Sequence, residues 1–159
     1  MKYLAIIQAR IGSTRFPNKV MQTVGGKTLV KRVWEAAKGC HLIDKVVVAW
    51  PERYPDLDEN DVMGRFQRLV DEFKPMYVVR LTSDCPLITS AHIYLAILNF
   101  ENNAFPYYSN HKDGFDVQVF SPSLMNHKEH VIADFTTPNT GLSVNTREDL
   151  ERVRAYVNR

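Results

Sequence analysis

Residues 8 to 19 read QARIGSTRFPNK and hold Arg10, Arg15 and Lys19 without one acidic residue. Gly12 and Ser13 are small enough to let backbone amides face an anion closely, and Pro17 keeps the stretch from being helical. Arg10 and Arg15 offer forked donors that match phosphate oxygens, and Lys19 adds a compact charge. The chemistry open to such a loop is the holding of phosphates; as a solvated surface loop it would lack any acidic partner of its own. A second candidate is RLTSDCPLI, residues 80 to 88. Asp84 directly follows an apolar run, where a lone carboxylate suits Mg²⁺, an ion that takes one or two carboxylates plus substrate phosphates. Asp84 would serve equally as a turn or helix-entry residue before Pro86. GGKT, residues 25 to 28, resembles the end of a phosphate-binding P-loop, but that motif needs glycine where Met21 stands. A turn leading into a helix is the better reading.

The elements that must position these residues follow from the apolar pattern. YLAII before the first loop, KVVVAW at 45 to 50 and YVVRLT at 77 to 82 are consecutive apolar runs rich in β-branched and aromatic residues, not alternating ones. They predict strands buried on both faces of a mostly parallel sheet. Leu29, Val33 and Ala37 mark one helix, ended by Gly39. Val62, Phe66, Leu69, Val70 and Phe73 mark a second, with Asp61 as its N-cap. Ile93, Ala96, Ile97 and Phe100 mark a third, capped by Thr89 or Ser90. YYSN and FDVQVF predict two short strands about an Asp-Gly turn, and a short helix starts at Pro122. LSVN predicts a brief strand before a last helix, in which Thr146 and Asp149 form a capping pair and Leu150, Val153 and Val157 the buried stripe. Alternating strands and helices imply right-handed βαβ units in an open α/β sheet. The first loop and Asp84 then both fall at the carboxyl edge of the strands, where α/β proteins bind ligands.

With 159 residues, the chain has room for one domain with one core. It carries 20 Lys plus Arg against 18 Asp plus Glu, a formal net charge of +2 that does not mark a nucleic-acid binder. No apolar run reaches membrane-spanning length, and Cys40 and Cys85 lack metal-type spacing, so a reduced cytoplasmic protein is expected.

In order, QARIGSTRFPNK, GGKTLVKRV, DVMGRF, VVRLTSDCPLI, YYSN with DGFDVQVF, and LSVNTREDL resemble the spore-coat polysaccharide biosynthesis family of cytidylyltransferase-like proteins. That family is related to the acylneuraminate and 3-deoxy-manno-octulosonate cytidylyltransferases. The resemblance runs from about residue 2 to residue 157. It implies a Rossmann-like nucleotidyltransferase fold of the nucleotide-diphospho-sugar transferase type, a single α/β domain with helices on both faces of the sheet. The implied reaction transfers CMP from CTP, or a related triphosphate, to an acidic or phosphorylated sugar and releases pyrophosphate, in surface polysaccharide synthesis.

Carried over by position, the resemblance makes Arg10, Arg15 and Lys19 triphosphate ligands and sets Ala9, Gly12 and Ser13 against the nucleotide. Asp84 would hold Mg²⁺; Arg10, Lys19 and Asp84 would carry the catalysis. Asp61, Arg65 and Arg80 become candidates for the nucleoside end, and Asn110, Asp116 and His130 for the sugar, although turn and cap roles explain these equally. His92 and His111 read as surface residues. A homodimer is left open, with neither nucleic acid nor membrane as partner. Three departures separate the chain from the family pattern. Only residues 51 to 60 stand where the family has a further βα unit, the stretch before LSVN is short, and Asn145 replaces an aspartate that serves as second metal ligand. These departures keep a degenerate nucleotide-binding or assembly protein of the same fold as the alternative.

Overall fold

A computed structural model describes residues 1–10, 12, 16–110, 113–126 and 142–158. Along the chain, β1 (Tyr3–Gln8) is followed by the strands β2 (Thr23–Val24) and β3 (Lys27–Thr28), helix α1 (Leu29–Lys38), β4 (Lys45–Ala49), α2 (Val62–Phe73) and β5 (Tyr77–Thr82). Then come α3 (Ser90–Glu101), β6 (Tyr107–Ser109), β7 (Val117–Phe120) and α4 (Arg147–Val157). The main sheet has the order β4-β1-β5-β7-β6. β1 pairs in parallel with both β4 and β5, as the consecutive apolar runs require. β7 joins β5 antiparallel, because β6 and β7 form a hairpin and one of its strands must reverse. Gly114, at φ 80°, makes the hairpin turn possible, and a side chain there would also strike Leu142.

Helices cover both faces. Ala5, Ile7, Val79 and Leu81 meet Val33 and Ala37 of α1 and Ile93 and Ile97 of α3 on one side. Leu4, Ile6, Val47 and Val78 meet Phe66, Leu69 and Val70 of α2 on the other. The α/β architecture expected from the sequence is therefore the one observed.

GGKT is the turn and exit of the small β2–β3 hairpin, with Gly25 and Gly26 at positive φ and Thr28 accepting from Lys31 N as the cap of α1. α4 packs Leu150 and Val153 against Val24 and Leu29, and Arg154 Nε donates to Thr23 O at 2.9 Å. One expectation is corrected: LSVN is not a strand. Residues 142 to 145 are irregular, and Val144 N donates to Asp84 O at 2.8 Å, beyond the end of β5 where no strand remains to pair with.

Candidate active site

At the carboxyl ends of β1 and β5 a cleft of about 210 Å³ is lined by Gln8, Arg10, Lys19, Thr82, Asp84 and Asn145, among others. Its centre is Lys19. Asn18 adopts a left-handed backbone (φ 55°) that starts a 3₁₀ turn over Lys19–Met21. The Lys19 ammonium donates to Asp84 Oδ2 at 3.0 Å and to Val144 O at 3.0 Å, and lies 3.5 Å from Asn145 Oδ1. The Lys19 side chain is 12% exposed and that of Asp84 27%, so the pair is only partly screened by water. A larger cavity, about 470 Å³, lies at the amino ends of the same strands beside Lys2, Tyr77 and Phe105. There the Lys2 ammonium is already paired with Glu101 at 2.6 Å, and the location is the wrong edge for an α/β ligand.

Asn145 does not cap α4. Thr146 does so, reciprocally with Asp149, and Asn145 contributes its backbone N–H to Asp149 Oδ2 at 3.0 Å. Its side-chain oxygen is left facing the Lys19 ammonium. Asp84 and Asn145 thus direct a carboxylate and an amide oxygen at one cation position, a hard donor set that fits Mg²⁺. Among the described residues no group of three or more His, Cys, Asp or Glu could hold a metal. Water and substrate phosphates would supply the remaining ligands, as they do for Mg²⁺ generally.

The first loop touches the connector that leads to α2. Arg10 Nη1 donates to Asn60 Oδ1 at 2.8 Å, and Gly12 N donates to Glu59 Oε1 at 2.9 Å. Arg65 is 1% exposed beneath this connector and donates to Glu59 O at 2.8 Å, while its Nε and Nη2 find no partner among the described residues. Burial lowers its pKa, against the opposing pull of Asp61 and Glu59. Asp61 accepts from Gly64 N at 2.8 Å and caps α2, as the sequence predicts.

Arg80 ties the sheet together across three strands. Its Nη2 donates to Gln8 Oε1 at 2.7 Å and its Nη1 to Gln118 Oε1 at 3.0 Å, and burial lowers its pKa. Asn110 closes the β6–β7 hairpin, donating to Phe115 O at 2.7 Å and accepting from Val117 N at 3.0 Å. Asp116 is half-buried beside Cys85, whose Sγ lies 3.6 Å from its Oδ2. Burial first, then the charges of Asp113 and Asp84, push its carboxyl up to about 6. Cys85 is buried and its thiol is pushed up by desolvation, so it offers no nucleophile. His92 is more than a surface residue: its Nδ1 accepts from Thr89 N at 3.1 Å and completes the cap of α3.

The structure therefore brings Arg10, Lys19, Asp84 and Asn145 into one cleft, with Ala9 buried just beyond β1, while Gly12 meets Glu59. Asp61, Arg65, Arg80 and Asn110 each have a task within the fold, and Asp116 stands at the flank of Asp84. Ser13, Arg15, His111 and His130 lie outside the described residues. Sequence reasoning missed Gln8, Glu59, Asn60 and the Val144 carbonyl. The acidic run DLDEND opposite a cationic loop was the signal that could have found Glu59.

Comparison with known proteins adds to this geometry. The profile of the Cytidylyltransferase family matches residues 4–51. A 3-deoxy-manno-octulosonate cytidylyltransferase of Flavobacterium johnsoniae is 54% identical over 48 residues, 30% of this chain and 20% of that protein. The chain thus matches about a fifth of that relative's length. Spore coat polysaccharide biosynthesis protein SpsF of Bacillus subtilis is 26% identical over 203 aligned positions, covering 96% of this chain and 85% of its own. The solved cytidylyltransferase of Leptospira borgpetersenii serovar Hardjo-bovis superposes with a TM-score of 0.82 at 24% identity, over 99% of this chain and 87% of its own, and so shares the fold. By these comparisons the chain is similar to cytidylyltransferases and shares their fold, the family match lying in the first strand, the cationic loop and α1.

Proposed function

We propose that this chain is a cytidylyltransferase that moves CMP from CTP to an oxygen of an acidic or phosphorylated sugar. The observation that carries the reading is the convergence of Arg10, Lys19, Asp84 and Asn145 on one cleft at the carboxyl edge of the sheet. The sugar oxygen attacks the α-phosphorus, the new O–P bond forms as the α–β bridging bond breaks, and pyrophosphate leaves with the electron pair. Lys19 transfers its ammonium from Asp84 to a phosphate oxygen as the triphosphate enters. Arg10 and the Gly12 amide hold the same chain of phosphates, and these fixed donors stabilise charge that grows on the leaving oxygens. Arg15 and Ser13 are assigned to the triphosphate as well, and Asp116 and His130 to the sugar side. A divalent cation, Mg²⁺ by the hardness of its donors, would be held by Asp84 and Asn145 and would supply Lewis-acid neutralisation of the phosphates.

The test is pyrophosphate release from CTP and Mg²⁺ with 3-deoxy-manno-octulosonate, other sugar acids and sugar phosphates as acceptors. Arg10→Ala should lower kcat/KM for CTP at least about tenfold, the loss of one charge-assisted phosphate contact. CTP should raise the melting temperature more than ATP or GTP. A second reading, a nucleotide binder without turnover, is favoured by Asn145 and by an alignment of 203 positions against 159 residues, which leaves this chain without segments SpsF has. Nucleotide-dependent stabilisation with no pyrophosphate from any acceptor would select it.

A further inference from the structure

The connector between β4 and α2 is acidic, with Glu52, Asp56, Asp58, Glu59 and Asp61 in PERYPDLDEND. Its last part is a tight turn anchored from beneath. Asn60 N donates to Asp58 Oδ1 at 2.7 Å, Asp61 N donates to Asp58 O at 2.9 Å, and buried Arg65 grips the Glu59 carbonyl. What the turn presents outward are the side chains of Glu59 and Asn60, both exposed to solvent. Both reach the first loop. Glu59 accepts the Gly12 N–H, and Asn60 accepts from Arg10.

These are the donors that a phosphate would use. The Glu59 carboxylate lies so close over Gly12 that a Cβ there would fall 2.3 Å from Oε1 and 2.6 Å from Oε2. A carboxylate that accepts from the Gly12 amide through one oxygen and sets the other over the same Cα fills the position of an anionic ligand. Glu59 and a phosphate on Gly12 N cannot be bound together. We propose that Glu59 and Asn60 form a latch, an internal anion mimic that occupies the first loop until a polyphosphate displaces it. The inference rests on the reading of that loop as a polyphosphate site. Only the fraction of molecules with the latch open is competent to bind, so the latch lowers apparent affinity by that fraction. A polyphosphate that also captures Lys19 gains enough to open it, whereas a ligand with one weakly held anion does not. The latch is thus a selectivity device for highly charged ligands.

The experiment is calorimetric titration with inorganic tripolyphosphate at fixed ionic strength, on wild type, Glu59→Ala, Glu59→Gln and Arg10→Ala. Because Glu59 is exposed, its replacement should keep the fold and lower the melting temperature by no more than the few degrees that the lost latch contact contributes. Glu59→Ala should bind about threefold to tenfold more tightly, the range expected when an exposed charged contact stops competing. Glu59→Gln should fall between, since its amide oxygen still accepts from Gly12 without a charge. If Arg10→Ala loses binding while Glu59→Ala gains nothing, the loop holds phosphate and the latch is overturned alone. Affinity that ignores both replacements, or no binding by any variant, overturns the latch and the phosphate reading of the loop together.

Discussion

Replacing Lys19 by methionine keeps the aliphatic stem and removes the ammonium that contacts Asp84, Val144 O and Asn145. An exposed ion pair contributes about 0–1 kcal/mol, and breaking a buried one costs about 3–5 kcal/mol. With 12% and 27% of the two side chains exposed, this pair falls between, at roughly 2 kcal/mol. For a chain of this length that corresponds to a melting temperature lowered by about 4–8 °C. The same contact must be released before Asp84 and Asn145 can hold a metal. Removing it should therefore tighten Mn²⁺ binding in the absence of nucleotide by up to about thirtyfold, the equivalent of roughly 2 kcal/mol. One substitution thus weakens the fold and strengthens the metal site, and saturating metal should narrow the stability gap. Urea unfolding with and without Mn²⁺, and free Mn²⁺ followed by electron paramagnetic resonance, read the two effects separately. Equal metal affinity in wild type and Lys19→Met would refute the idea that Asp84 and Asn145 share one cation position with the ammonium.

Asn145→Asp adds a second carboxylate to that position without disturbing the α4 cap, which Thr146 and Asp149 supply. Magnesium affinity should rise about tenfold and pyrophosphate release should quicken at limiting Mg²⁺; coincident titration curves for the two proteins would end the second-ligand assignment. Asp116 concerns pH. Its carboxyl is raised from 3.8 to about 6, so between those values the folded state holds a proton that the unfolded state has lost. The stability this contributes is present below about pH 4 and disappears as pH rises through 6. Asp116→Asn should be more stable than wild type by roughly 1–2 kcal/mol at pH 7.5 or so and equal to it near pH 4, measured by urea unfolding. A difference that does not change with pH would show that burial of Asp116 carries no such penalty.

The parallel part of the sheet and the helices were legible because β1, β4 and β5 are mainly apolar, β-branched runs, β5 interrupted by Arg80, and each helix carries an apolar stripe. Asp61, Thr89 and Thr146 cap as expected, because capping is a local hydrogen bond between neighbours in sequence; Thr28 caps α1 in the same way. The β2–β3 hairpin escaped notice, since two-residue strands leave no periodicity. LSVN was misread because Leu142 and Val144 alternate with polar residues as in a strand, whereas Val144 is buried with its N–H on the Asp84 carbonyl rather than in a ladder. In the site, the residues that bear charge could be named from the loop sequence alone. Their partners could not: the Val144 carbonyl carries no side-chain signature, and Glu59 meets Gly12 only because the connector folds back across the carboxyl edge. The same limit hid the role of Arg80, whose partners Gln8 and Gln118 come from strands far apart in sequence.

The register of β1 also sets the order in which the molecule can be assembled on the ribosome. Leu4 waits for Lys45 and Tyr3 for Tyr77, so β1 has both of its neighbours only once β5 has been made. Until then Leu4, Ala5, Ile6 and Ile7, wholly buried in the finished fold, are apolar and unpaired. Non-local closure of this kind is slow compared with helix formation, and the exposed interval is when such a strand is open to wrong partners. Lys19 waits longer still, because Val144 and Asn145 follow only after every strand of the sheet has been made. A nascent chain halted at β7 would carry the cationic loop and Asp84 yet lack the segment that fixes the ammonium between them.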